Sequence, residues 1–142
     1  MRNNLILRVL AKLLIPFILL FALYVQFHGD FGPGGGFQAG VILAAAMIFY
    51  ALIFGLDSAR KVVPEPLVES MMAAGVLIYA GVGIAGLVLG GNYLDYFVLD
   101  ADPVHGQHRG IFWVEVGVAV TVSGVMLKIF YMFADRRKVD EE

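Results

Sequence analysis

Gly32-Pro33-Gly34-Gly35-Gly36-Phe37 separates two long apolar runs, and the fold follows from that arrangement. Residues 13–25 are apolar throughout, and residues 37–56 carry Gln38 as their only strongly polar side chain. A helix rises about 1.5 Å per residue, so about 20 residues cross a hydrocarbon core about 30 Å thick. The glycine run therefore sits at a membrane face, where two spanning helices reverse direction. Three successive glycines form helix poorly and reach backbone angles that other residues avoid. They also leave main-chain N–H groups uncovered. Such a run suits a tight turn, a close helix approach or an ion-facing loop, and the residues leave all three open.

Composition agrees with membrane insertion. Of 142 residues, 60% are hydrophobic and only 15% charged, against about 25% charged in ordinary soluble domains. Cysteine is absent, which excludes disulfide and thiolate chemistry. The net charge of -2 is small, and the basic residues are not clustered as nucleic-acid binding would require. The first apolar segment lacks a small-residue cleavage site, so it reads as a retained helix rather than a leader.

Working outward gives an all-α integral membrane protein with four transmembrane helices, over about residues 5–27, 37–56, 71–91 and 111–134. Together they form a single membrane domain, 1–142, ending in a charged tail at 135–142. Lys12 lies near the start of the first span and can snorkel to the interface. Pro16 removes a helical hydrogen bond and kinks that span. Arg60, Lys61, Pro64 and Pro66 mark the second connection, and Asp95, Asp100, Asp102, His105 and His108 the third. Arg2, Arg8, Lys12, Arg60, Lys61, Lys128, Arg136, Arg137 and Lys138 fall toward one side, with Arg109 alone on the other. The positive-inside rule therefore predicts both termini cytoplasmic, with the glycine loop and the acidic third loop outside.

The later spans are rich in small residues. Gly75, Gly81, Gly83, Gly86, Gly90 and Gly91 crowd the third, and Gly86 and Gly90 have the GxxxG spacing of close helix pairs. Gly117, Thr121, Gly124 and Lys128 make one narrow stripe on the fourth. These surfaces fit packing within the chain and packing against other subunits equally well.

Few residues invite chemistry. Glu115 lies about one turn into the fourth span, and a carboxylate there usually faces protein or a water-filled cavity. It falls on roughly the opposite helix face from the glycine stripe. Shallow solvation among headgroups would leave it inert. Lys128 either snorkels to the interface or pairs with a carboxylate of another chain. His28 and Asp30 flank the glycine loop, where a histidine suits proton handling, although a solvated interfacial pair is the plainer reading. His105 and His108 with Asp100 and Asp102 do not have the tight pairing of metal ligands, so no metal is expected. No Walker loop, HExxH or nucleophile elbow occurs, and Ser58, Ser70 and Ser123 have no nearby histidine. An enzyme is not expected.

Gly29-Asp30-Phe31-Gly32-Pro33-Gly34-Gly35-Gly36-Phe37, followed by Gly40, resembles the signature loop of the MnhB subunit of Mrp-type multisubunit sodium/proton antiporters. Gly75, Gly83, Gly90 and Leu94 fit that family's third helix. Val114-Glu115-Val116-Gly117-Val118, with Gly124, resembles its last. The likeness runs from about residue 5 to 133. Two departures stand out: the family's Gly-His reads Gly29-Asp30 here, with the histidine displaced to His28, and its usual aspartate is Glu115. The resemblance implies a small cell-membrane subunit, without a cofactor and inactive alone, assembled with other Mrp subunits and lipid. Such assemblies exchange Na+ for H+. It implies candidate ion or proton handling at Glu115, Asp30, His28 and Lys128. It also implies a structural loop at Pro33, Gly34, Gly35, Gly36 and Phe37, and helix packing at Gly75, Gly83, Gly86, Gly90, Gly117 and Gly124. The competing expectations are a scaffold-only subunit, a self-assembling small channel, and a structural subunit of a related complex I-like or hydrogenase-like assembly.

Overall fold

The computed structural model describes residues 5–29 and 34–139, with side chains as far as Asp135. Five α-helices follow in order: α1 (Leu5–His28), α2 (Gly36–Phe54), α3 (Leu56–Val62), α4 (Glu65–Val88) and α5 (Pro103–Val139). A single 3-10 turn, Tyr96–Leu99, interrupts the connection between α4 and α5. The described residues contain no strand. Helices α1, α2, α4 and α5 are each long and apolar enough to cross a membrane. The chain is thus an all-helical protein with four membrane-spanning helices.

Two boundaries differ from the sequence expectation, and capping explains both. The third span begins at Glu65 rather than near residue 71, because Pro66 falls in the first helical turn, where a missing N–H costs nothing. The last helix begins at Pro103, not near residue 111. The Val104 N–H donates to the Asp102 carboxylate at 3.0 Å, which makes Asp102 an N-cap with proline directly after it. At 37 residues, α5 is about 55 Å long and projects beyond a hydrocarbon core.

Helix α5 is central, packed on α2 along one side and on α4 along another, while α1 packs mainly on α2. The interfaces are built from small residues. Ala11, Ala22, Ala39, Ala44 and Ala46 are wholly buried, whereas Leu77, Ile84, Val88, Met132 and Phe133 face outward. This inverts the usual soluble arrangement, because lipid solvates leucine as well as another helix does.

The end of the bundle opposite the glycine loop is closed by charge. Lys128 lies 3.2 Å from Glu65 and 2.7 Å from Glu69. Arg60 of α3 pairs with Glu65 at 2.9 Å and with Asp135. The Asp135 hydrogen bond is the main reason the Arg60 guanidinium sits above its ordinary pKa. Beneath them, the Tyr131 hydroxyl donates to the Val63 carbonyl at 3.0 Å, in a core with Ala44, Val68 and Leu127. Tyr131 is 1% exposed. Replacing it with Phe should cost about 1 kcal/mol, because the Val63 carbonyl loses its donor where water does not reach. Thermal unfolding in detergent checks this, and an unchanged melting temperature would show the hydroxyl to be idle.

Candidate functional site

Two glycine surfaces divide the work at α5. The stripe of Gly117, Thr121 and Gly124 lies against α4. A Cβ on Gly75 would meet the Thr121 hydroxyl at 2.1 Å and the Gly117 carbonyl at 2.5 Å, and one on Gly124 would meet the Val68 carbonyl at 3.1 Å. Lys128 continues the stripe to Glu65 and Glu69. The stripe therefore packs inside the chain, and Lys128 pairs with two carboxylates of its own chain. The GxxxG spacing at Gly86 and Gly90 is not a helix–helix contact. Helix α4 ends at Val88, Gly90 has φ +89° with open space around it, and Gly86 faces the Asn92 and Asp95 backbone. Gly83 is likewise covered by the Tyr93 ring of the same connection.

On the other face of α5, Glu115 meets the glycine loop. A Cβ on Gly29 would lie 3.1 Å from Glu115 Oε2, and one on Gly35 would lie 3.0 Å from Oε1. One on Gly36 would be 2.0 Å from the Glu115 carbonyl oxygen. The half-exposed carboxylate thus lies between the end of α1 and the start of α2, against Gly29 and Gly35, while the missing Gly36 side chain lets the two backbones approach. One helical turn further in, Val25, Ala39 and Ala119 close the same three-helix junction.

This position has an electrostatic consequence. Gly35 is the N-cap of α2, with φ +137° and no side chain to satisfy the first-turn N–H groups. Few residues other than glycine reach that angle. An anion near a helix N-terminus is favoured by about 0.3–1 kcal/mol, more when partly buried. Glu115 brings a carboxyl group to that end from another helix. Gln38 is the third residue of α2, and its Oε1 lies 3.4 Å from the same missing Cβ of Gly35. Two side-chain oxygens therefore come close together above the Gly35 backbone.

Other candidates lie elsewhere. The His28 ring stacks on Tyr24 with centroids 5.0 Å apart. Asp30 and Pro33 fall outside the described residues. In the third connection, His105 Nδ1 lies 3.0 Å from Asp102, and Arg109 lies 2.9 Å from Asp100. Among the described residues, no three His, Asp or Glu side chains are placed to hold a metal.

Sequence reasoning misses Gln26 and Gln38 as site residues. Gln26 is 7% exposed, and neither its Oε1 nor its Nε2 finds a hydrogen-bond partner among the described residues. It precedes Gly29 by three positions, near the end of α1. The available signal is a carboxamide one turn from the glycine loop, directly after the apolar run 13–25. A buried polar group left unsatisfied costs about 1–3 kcal/mol, whereas an apolar group of similar shape does not. Gln26→Leu should therefore unfold at the same temperature or higher. A lower melting temperature would mean that the carboxamide has a partner in the folded protein.

Residues 6–128 match the family described as a domain related to the MnhB subunit of Na+/H+ antiporter. The chain belongs to the MnhB family. It is 33% identical over 130 residues to the B subunit of the Na+/H+ antiporter of Alkalihalophilus pseudofirmus, covering 84% of this chain and 90% of that protein. It is 30% identical over 133 residues to the corresponding Na+/H+ antiporter protein of Bacillus subtilis, with 84% and 90% covered. The matched region of this MnhB chain contains the whole glycine-loop junction and both partners of the α4–α5 interface.

Proposed function

We propose that this chain is a membrane subunit of a multisubunit Na+/H+ antiporter, inactive alone, and that Glu115 with the glycine loop handles the transported ion or proton. The family carries the first part of this reading. The observation that carries the second is the carboxylate held among the loop glycines at the α2 N-terminus. Such a group answers a change of charge mechanically. The ionised carboxylate complements the start of α2. Taking up a proton or a monovalent cation weakens that complement, and a backbone without side chains can shift in response. The point above Gly35 where Glu115 Oε1 and Gln38 Oε1 converge is the place for the arriving ion. Lys128, Arg60, Glu65 and Glu69 serve as a clamp at the opposite end rather than as part of the route.

The charge asymmetry along the sequence supports an orientation with both termini cytoplasmic and Glu115 toward the outer face of the cell membrane. The remaining subunits of the complex are its partners. Cation-dependent proton movement in inverted vesicles carrying the whole complex tests the reading. Deleting this chain should abolish antiport, and the purified chain in liposomes should show none. Antiport by the chain alone would overturn it. A scaffold-only role draws support from the interlocked α4–α5 interface, and the charge-neutral Glu115→Gln variant separates the two.

A further inference from the structure

We propose that the groove between α4 and α5 at the glycine-loop end is a binding site for one zwitterionic phospholipid with an ammonium-bearing headgroup of the ethanolamine type. A cavity of about 350 Å³ lies there, walled by Ile78, Gly81, Val82 and Ala85 of α4 and by Trp113 of α5, with Arg109 on its rim. Nothing lies within 4 Å of where a Gly81 side chain would begin, so the groove owes its depth to that glycine. From Ala85 to Ile78 it runs about 10 Å along α4, within the apolar window, which suits the upper part of an acyl chain. Trp113 is 52% exposed, one turn inside Arg109, at the depth where tryptophan marks a membrane interface.

The rim selects the headgroup. The Arg109 side chain is 67% exposed, and its bond to Asp100 leaves other guanidinium donors for a phosphate. Beside it, Asp100 accepts from the Asp102 N–H, and the Asp102 side chain is 52% exposed. From Asp95 to Arg109 the chain carries Asp95, Asp100 and Asp102 against Arg109, with His105 held on Asp102, so a purely anionic headgroup meets net repulsion. A phosphate on Arg109 with a primary ammonium donating to the neighbouring Asp100 matches both signs, and choline, which has no N–H, makes no such bond. This site is separate from Glu115 and does not depend on how the ion moves.

Trp113 is the chain's single tryptophan, so its fluorescence reports this groove. The full chain would be placed in phosphatidylcholine vesicles containing brominated phosphatidylethanolamine or brominated phosphatidylglycerol. Phosphatidylethanolamine should quench Trp113 with an apparent affinity about threefold above that of bulk lipid, a preference well within what one charge-assisted contact supplies. Equal quenching by every lipid would overturn the proposal, as would stronger quenching by phosphatidylglycerol. Gly81→Leu should fill the groove and return quenching to the bulk value, and Arg109→Gln should abolish the headgroup preference. A preference that survives both changes would also overturn it. In the purified complex, phosphatidylethanolamine should remain bound at one per copy of this chain and be lost in Gly81→Leu. A neighbouring protein's helix seated in the groove, with no lipid retained, would sink the proposal whatever the vesicles show.

Discussion

Glu115→Gln in the assembled complex should lower cation-dependent proton movement by at least about tenfold, equivalent to about 1.4 kcal/mol in a limiting barrier. Native gels should show the complex intact. Glutamine has the same shape and hydrogen-bonding reach, so the contacts at Gly29 and Gly35 survive. What disappears is the charge. Its favourable interaction with the start of α2 is about 0.3–1 kcal/mol, too little to dismantle three packed helices. Loss of antiport with assembly retained therefore isolates the chemistry from the architecture. Glu115→Asp keeps the carboxylate, with a reach shorter by one methylene, and should recover most of the activity. If Glu115→Gln transports normally while deletion of the chain dissociates the complex, the protein is scaffold and the ion route lies elsewhere.

Among the described glycines, Gly36→Ala should be the most damaging change to alanine. The added Cβ would lie 2.0 Å from the Glu115 carbonyl oxygen and 2.9 Å from its Cα. These are backbone atoms of a long helix, so no side-chain rotation relieves the clash. Helices α2 and α5 must separate, opening the layer of Val25, Ala39 and Ala119. Overpacking typically costs about 1–3 kcal/mol and more where the obstacle is rigid, so a loss of about 3 kcal/mol or greater is expected. Gly81→Ala is the control. It meets nothing within 4 Å and replaces a helical glycine, which should stabilise α4 by as much as about 1 kcal/mol. Melting temperatures of the two variants should therefore move in opposite directions. A Gly36→Ala protein as stable as the parent would show that α2 approaches Glu115 less closely than these distances imply.

Much of this is legible in the residues because membrane insertion is a local property. A run of about 20 apolar residues needs a helix to satisfy its backbone, whatever its neighbours do. Four spans and the likeness to MnhB can both be read directly. The stripe on α5 is also visible, and with it the placement of Glu115 on another face.

Other features depend on which helix meets which face. Whether the stripe packs inside the chain turns on α4 lying beside α5, a fact of three-dimensional order. The GxxxG pair at Gly86 and Gly90 fails as a signal because α4 stops at Val88, leaving Gly90 outside the helix. The acidic third connection shows no pattern in its sequence, yet Tyr93 and Tyr96 lock it down by resting their rings on Gly83 and Gly110. The partners of Lys128 lie some sixty positions away, and helical periodicity carries no information over that distance.

Sequence alone thus determined the solvent of this protein, the number of its spans, its family and the candidacy of Glu115, because hydrophobic length and a rare intramembrane charge are read one segment at a time. The tertiary structure decided where Glu115 sits and what it faces. Gly29, Gly35 and Gly36 are ordinary loop glycines until α1, α2 and α5 converge, and only that convergence brings a carboxylate to the uncapped start of a helix.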